Sequence, residues 1–136
     1  NADPILAAIG ADSRVGPECL KYGYGYGGPC FPRDNRALSI HADDVGVDAT
    51  ISKASDSCNR EHLMHQLDIF FRDNDINEPV VFDFITYKKE STIIEESQQL
   101  AFAELLVDNE YKVYIKERDS VIASLDQDFK DKVVFI

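Results

Sequence analysis

The sequence predicts an α/β chain, with a helical half over residues 1–75 and an incomplete strand–helix–strand half with a parallel sheet over residues 77–136. Ile51, Ala54, Cys58, Leu63, Leu67 and Phe70 recur at three- and four-residue spacing, the period of one helix face. Asn74-Asp-Ile-Asn-Glu-Pro79 is a polar hinge. Beyond it the period changes. Val80 to Thr86, Glu95 to about Asp108, and Lys112 to Ile115 have the lengths and composition of strand, helix and strand.

In chain order, Pro4 to Ile9 has the pattern of a helix end closed by Gly10, and Ala11 to Gly16 is a connector. Gly16 to Lys21 is a short helical turn with Pro17 at its opening. A glycine-rich loop from Tyr22 follows. Asp34 to about Val45 is expected to be a helix ended by Gly46, and Asp48 or Thr50 caps a long helix reaching about Asp73. That helix has a wide apolar arc from Leu63 to Phe71, more than one small neighbour buries, which predicts a homodimer contact over residues 49–73. In the second half the helix turns Leu100, Ala103, Leu106 and Val107 inward. A short helix over 119–125 and a third strand over 132–136 complete an incomplete Rossmann-like unit with a right-handed crossover.

Composition narrows the classes of partner. The 136 residues are 44% hydrophobic, enough for a core, and carry a formal net charge of -11. Acidity shared by both halves argues against nucleic acid or an anionic membrane as partner. No apolar run approaches the length of a membrane span, and no basic-plus-apolar leader is present. Three cysteines, at 19, 30 and 58, form neither a disulfide framework nor a zinc knuckle, so a reducing cytoplasm is the expected location. Cys19 and Cys58 fall in helical patterns and are expected to be buried packing residues. His62 and His65 lie beside Glu61 without a third ligand at suitable spacing, so no metal is assigned and both are expected at the surface or a seam.

The chemistry concentrates in Tyr22-Gly-Tyr-Gly-Tyr-Gly-Gly-Pro-Cys-Phe-Pro-Arg-Asp34. Gly23, Gly25, Gly27 and Gly28 let backbone N–H groups approach a ligand, while Tyr22, Tyr24 and Tyr26 offer flat faces with hydroxyl tips. Pro32 and Asp34 suit a first helical turn, which places Cys30 beside a helix N-terminus where a thiolate is favoured. Gly23 to Gly28 also spells G-x-G-x-x-G, but no strand precedes it and no acidic residue follows a second strand, so the match is read as chance.

Gly25-Tyr-Gly-Gly-Pro-Cys-Phe-Pro-Arg-Asp34 resembles the active-site motif of the nucleotide-sugar dehydrogenases, most of all the UDP-glucose 6-dehydrogenase branch with its usual G-F-G-G-S-C-F-P-K-D. Ile9 to Gly16 resembles the segment before that loop. Phe84 to Ser97 is similar to the start of the family's UDP-binding domain, G-L-A-F-K-P-N-T-D-D-x-R-E-S, with Tyr87 and Lys88 on its aromatic–lysine pair. The pattern is altered at Phe84, Thr92, Ile93 and Glu95, and Ile115-Lys116 replaces an acidic residue.

The resemblance implies oxidation of UDP-glucose C6 to the acid with NAD, through a thiohemiacetal and a thioester on Cys30, with Asp34 orienting water. It implies that Arg14, Lys21, Tyr22, Gly23, Tyr24, Gly25, Tyr26, Gly27, Gly28, Tyr87 and Lys88 bind the UDP-sugar substrate, and that the long helix forms the dimer seam. The family's dinucleotide-binding domain and its upstream lysine and asparagine have no counterpart in the sequence. The chain is therefore expected to be a middle-plus-C-terminal fragment, inactive alone, with NAD bound mainly by a domain absent from it; no cofactor-binding residue is assigned. A second class stays open: a non-catalytic nucleotide-sugar-binding or dimerisation module that kept the loop and lost the chemistry. The altered second half favours this class, and the intact loop favours the enzyme.

Overall fold

The computed structural model describes residues 2–17 and 23–136. Its helices are α1 (Asp3–Gly10), α2 (Phe31–Asp44), α3 (Thr50–Asp73), α4 (Gln98–Asp108), α5 (Asp119–Ile122) and α6 (Gln127–Lys130). The strands are β1 (Val80–Phe82), β2 (Val113–Ile115) and β3 (Val134–Phe135). They form one parallel sheet in the order β1-β2-β3, with Val80 opposite Val113 and Tyr114 opposite Val134. The α/β class and the parallel sheet follow the sequence pattern. The short turn expected over 16–21 lies mostly outside the described residues.

The core lies on the sheet. Ile85, Ala103, Leu106, Ile115 and Val121 are fully buried, with Phe82, Phe102, Val113, Leu125 and Phe129 around them. Leu63, Leu67, Phe70 and Phe71 of α3 join the same core. Phe70 stands edge-on to Phe102 and Tyr111, at 5.6 and 5.5 Å between centroids, and Phe71 stacks on Tyr111 at 5.5 Å. The arc from Leu63 to Phe71, expected to await a second copy, is thus packed against the chain's own sheet half. Towards the N-terminus of α3 the pattern is reversed: Ile51 is 83% exposed, and Ala54 and Cys58 are exposed as well. Cys58 is therefore a surface thiol rather than a packing residue.

Several boundaries shift for local reasons. Helix α2 starts at Phe31, three residues early, so Pro32 sits in its first turn and Cys30 is its N-cap. Strand β1 stops at Phe82 because the next backbone groups leave the ladder: the Ile85 N–H donates to the Glu117 carboxylate at 3.2 Å. Helix α4 cannot start at Glu95. Glu96 adopts φ +53, a left-handed conformation no helix passes through, and Ser97 caps the helix by accepting from the Leu100 N–H. The expected short helix over 119–125 is α5, followed by an additional turn, α6, that Asp126 caps.

The α2–α3 contact is polar, although both sequences carry apolar residues. Leu38, Ile40 and Val45 face outward, while Asn35 donates to the Ser52 carbonyl at 2.9 Å and Ser52 donates to the Asn35 carbonyl at 2.9 Å. Asp56 is buried at 8% exposure and pairs with Arg36 and Arg60.

Truncating Leu106→Ala removes a fully buried side chain from the sheet–α4 core and is expected to cost about 2–5 kcal/mol of stability, measured by urea unfolding. Glu104 lies against α6, and partial burial together with Asp108 and Asp126 pushes its carboxyl above the ordinary glutamate range. A raised folded-state value means the folded chain holds its proton more tightly, so stability is lost as pH rises through that value and the penalty is full at neutral pH. Glu104→Gln is accordingly expected to raise the melting temperature at pH 7, with the gain gone by about pH 4.

Candidate active site

The glycine loop is held from two sides. On one side α3 presents Asn59, His62 and Gln66, one or two turns apart on one face. The Asn59 amide accepts from the Tyr26 N–H and donates to the Tyr26 carbonyl, both at 2.9 Å. His62 Nε2 meets the Gly23 carbonyl, which also accepts from Gln66 Nε2 at 2.5 Å. These three polar residues interrupt the apolar period of α3, and that interruption is the signal that sequence reasoning passed over. His62, expected at the surface or a seam, is half-buried against the loop.

On the other side stands the turn before α4. The Gly28 N–H donates to the Glu96 carbonyl at 3.3 Å, and a Cβ on Gly27 would overlap that same oxygen. Gly28, at φ +89, lies against the Tyr87 ring: an added Cβ would sit 2.6 Å from Tyr87 Cδ2. Lys88 Nζ lies 5.4 Å from the Tyr87 ring centroid. The aromatic–lysine pair of the second half therefore stands beside the loop, two residues before Cys30.

Cys30 is an exposed free thiol at the N-cap of α2, where the first-turn N–H groups and the positive end of the helix dipole lie. Asp34, one turn on, donates its N–H to the Cys30 carbonyl at 2.9 Å. Its carboxylate is 67% exposed and is approached by Arg33 Nε at 3.3 Å, so it is open to water. Helix α2 is aimed by Arg36, whose guanidinium binds both Glu96 oxygens at 2.9 and 3.1 Å and Asp56 at 3.1 Å. Glu96 first and Asp56 second hold the Arg36 proton more tightly than usual.

The tyrosines divide. Tyr24 is half-exposed, edge-on to Phe102 at 6.2 Å, and burial pushes its hydroxyl above the ordinary tyrosine value. It walls a cleft of about 280 Å³ with Gln66, Ile69, Phe70 and Phe102. Tyr26 lies between two clefts shared with Ser55, the larger of about 470 Å³ and lined also by Gly25, Cys58, Asn59 and His62; its hydroxyl is buried without a partner among the described residues. Arg14 is not brought to the loop. Its side chain is 88% exposed and folds onto Asp12, to which its Nε donates at 3.0 Å. The Asp12 hydrogen bond holds the Arg14 proton more tightly than usual. Lys21 and Tyr22 lie outside the described residues.

Among the described residues no strand–glycine-turn–helix unit is formed of the kind that cradles a dinucleotide diphosphate. The G-x-G-x-x-G run is not preceded by a strand among the described residues, and the segment from β1 to α4 contains no glycine. Among the described residues, no three His, Cys, Asp or Glu side chains gather as metal ligands, and no helix is long and apolar enough to cross a membrane.

Comparisons with known proteins meet this geometry. The sequence model of the UDP-glucose/GDP-mannose dehydrogenase family, central domain, matches residues 1–61. The UDP-glucose 6-dehydrogenase of Rickettsia conorii is 27% identical over 89% of this chain, and that of Pseudomonas aeruginosa 29% identical over 88%. The chain spans only 28% and 26% of those two proteins. A UDP-glucose dehydrogenase structure from Pyrobaculum islandicum superposes with a TM-score of 0.78 at 24% identity, covering 98% of this chain and 31% of that one, which shows a shared fold. The central-domain model of that family thus covers the loop region, and these relatives are similar to most of the chain's length.

Proposed function

We propose that the chain carries the cysteine loop of an NAD-dependent nucleotide-sugar dehydrogenase that oxidises C6 of UDP-glucose to UDP-glucuronate. The packing of Tyr87 on Gly28, two residues before an exposed Cys30 at a helix start, is the observation that carries the reading. It brings the candidates of both halves to one place. Residues 1–75 then form the helical middle region and residues 77–136 a partial UDP-binding-type domain.

In this reading the loop N–H groups, Lys21, Tyr22, Tyr24, Tyr26, Tyr87 and Lys88 hold the diphosphate and sugar. Arg14 joins them only by leaving Asp12. At the aldehyde level the Cys30 sulfur bonds to C6 and the carbonyl electron pair moves onto oxygen, which takes a proton to give a thiohemiacetal. A bound NAD, which the family resemblance implies, would supply the hydride acceptor that turns the thiohemiacetal into a thioester, and its binding is assigned to a domain outside this chain. In the resulting thioester, water oriented by Asp34 attacks C6, the C–S bond breaks, and Cys30 leaves as thiolate with the acid released. Free thiols at Cys30 and Cys58 suit a reducing cytoplasm.

The intact protein is expected to yield two NADH per UDP-glucose. Cys30→Ser is expected to lower turnover by roughly 10³-fold or more and Asp34→Asn by about 10²–10⁴-fold, read as NADH absorbance. Binding of a nucleotide sugar without any turnover in the wild type would instead favour a non-catalytic binding module. A homodimer through helix 49–73 also belongs to this proposal, with the exposed strip Ile51, Ala54 and Cys58 as its seam in place of the covered Leu63–Phe71 arc. Light scattering at micromolar concentration is expected to give twice the chain mass, and a monomer would overturn the seam.

A further inference from the structure

We propose that Asn59 is the positioning residue that holds the glycine loop in the shape that presents Cys30 at the start of α2. Its importance for chemistry rests on the reading of Cys30 as the reactive thiol. The geometry is that of a strand pairing made by one side chain: a single amide takes both the N–H and the carbonyl of Tyr26, at 2.9 Å each. Binding both groups of one residue fixes the rotation of the peptide planes on either side of it, which a single hydrogen bond does not do.

The site accepts little else. A Cβ on Gly25 would overlap Asn59 Oδ1, so the amide reaches the backbone only across a residue without a side chain. Aspartate lacks the donor for the Tyr26 carbonyl and would set a carboxylate against it; glutamine carries one methylene more than the gap admits. Alanine leaves both Tyr26 groups unanswered in a half-buried place. Further along α3, His62 and Gln66 hold only the Gly23 carbonyl, at the far end of the loop. Past Tyr26 the next main-chain anchor is the Gly28 N–H on Glu96. Asn59 is thus the grip nearest to Cys30 on the α3 side, and both its hydrogen bonds go to the Tyr26 backbone.

Three measurements on Asn59→Ala and Asn59→Asp in the full chain test this. The first is hydrogen exchange at the Tyr26 amide, expected to quicken about tenfold while the amides of α3 stay as they were. The second is iodoacetamide alkylation followed by peptide mass spectrometry, which reads Cys30 against glutathione added as a reference thiol. Cys30 is expected to change its rate by about tenfold relative to that reference. The third, in the intact protein, is steady-state kinetics with UDP-glucose, where kcat is expected to fall about tenfold with KM within about twofold. Unchanged Tyr26 exchange in a folded Asn59→Ala chain overturns the proposal. Faster exchange with an unaltered Cys30-to-glutathione alkylation ratio makes Asn59 a structural residue only, and also overturns it. If the wild type turns over no nucleotide sugar, the dehydrogenase reading fails by itself, and the exchange and alkylation results still decide the role of Asn59. Gln66→Ala, which loosens the Gly23 end alone, is expected to leave the alkylation ratio within about twofold of wild type.

Discussion

The close approach of a backbone without side chains to the Glu96 carbonyl governs how this chain is assembled. Gly27 and Gly28 pass so near that oxygen and the Tyr87 ring that any Cβ would collide, while the Gly28 N–H supplies the hydrogen bond that makes the approach favourable. Glu96 must in turn adopt φ +53 to aim its carbonyl outward, which ends any helix before it and leaves Ser97 to start α4. Loop, turn and helix start are therefore one arrangement. Altering any of the three displaces the other two.

The same residue settles the direction of α2. Its carboxylate grips Arg36 with two hydrogen bonds while Asp56, nearly buried, takes a third nitrogen of the same guanidinium. Arginine suits this task because its donors lie in one rigid plane and point to two carboxylates at once. A buried carboxylate such as Asp56 costs desolvation unless it is fully paired, and Arg36 and Arg60 together meet that need. What results is a polar seam between α2 and α3, fixed in register by Asn35, Ser39 and Ser52, where an apolar contact would leave the helices freer to slide. The apolar side chains of α2 are left facing outward as a consequence.

The long helix α3, the strand–helix–strand order and the core positions Ala103 and Leu106 were legible because period and length determine them directly. The start of α4 was not, because helix propensity at Glu95 and Glu96 is overruled by a long-range backbone hydrogen bond. Cys58 looked buried because it kept the helical spacing of Leu63 and Leu67; α3 outruns the core, so its first turns have nothing apolar to lean on. At the loop, the position of Cys30 beside a helix start was legible from Pro32 and Asp34 in the first turn, while the role proposed for Asp34 came from the family motif. The packing of Tyr87 on Gly28 was not legible, since no spacing rule connects residues so far apart; the family resemblance implied only that both serve one substrate. The grips of Asn59, His62 and Gln66 were missed because polar residues on a helix face pass for solvated ones until the backbone they bind is seen.

Because the loop is bound by side chains and carbonyls distant in sequence rather than by its own neighbours, its order depends on late events in biogenesis. During synthesis Cys30 emerges long before Tyr87 and Glu96 exist, and among the described residues α3 holds the loop by hydrogen bonds at Gly23 and Tyr26. Closing so wide a span carries an entropic cost that only the finished sheet half can offset. A half-made chain thus holds a thiol not yet seated at the head of a settled helix. The seating of the loop arrives with the completed fold, and a truncated product ending at the polar hinge would carry Cys30 without Tyr87 and Glu96 against the loop.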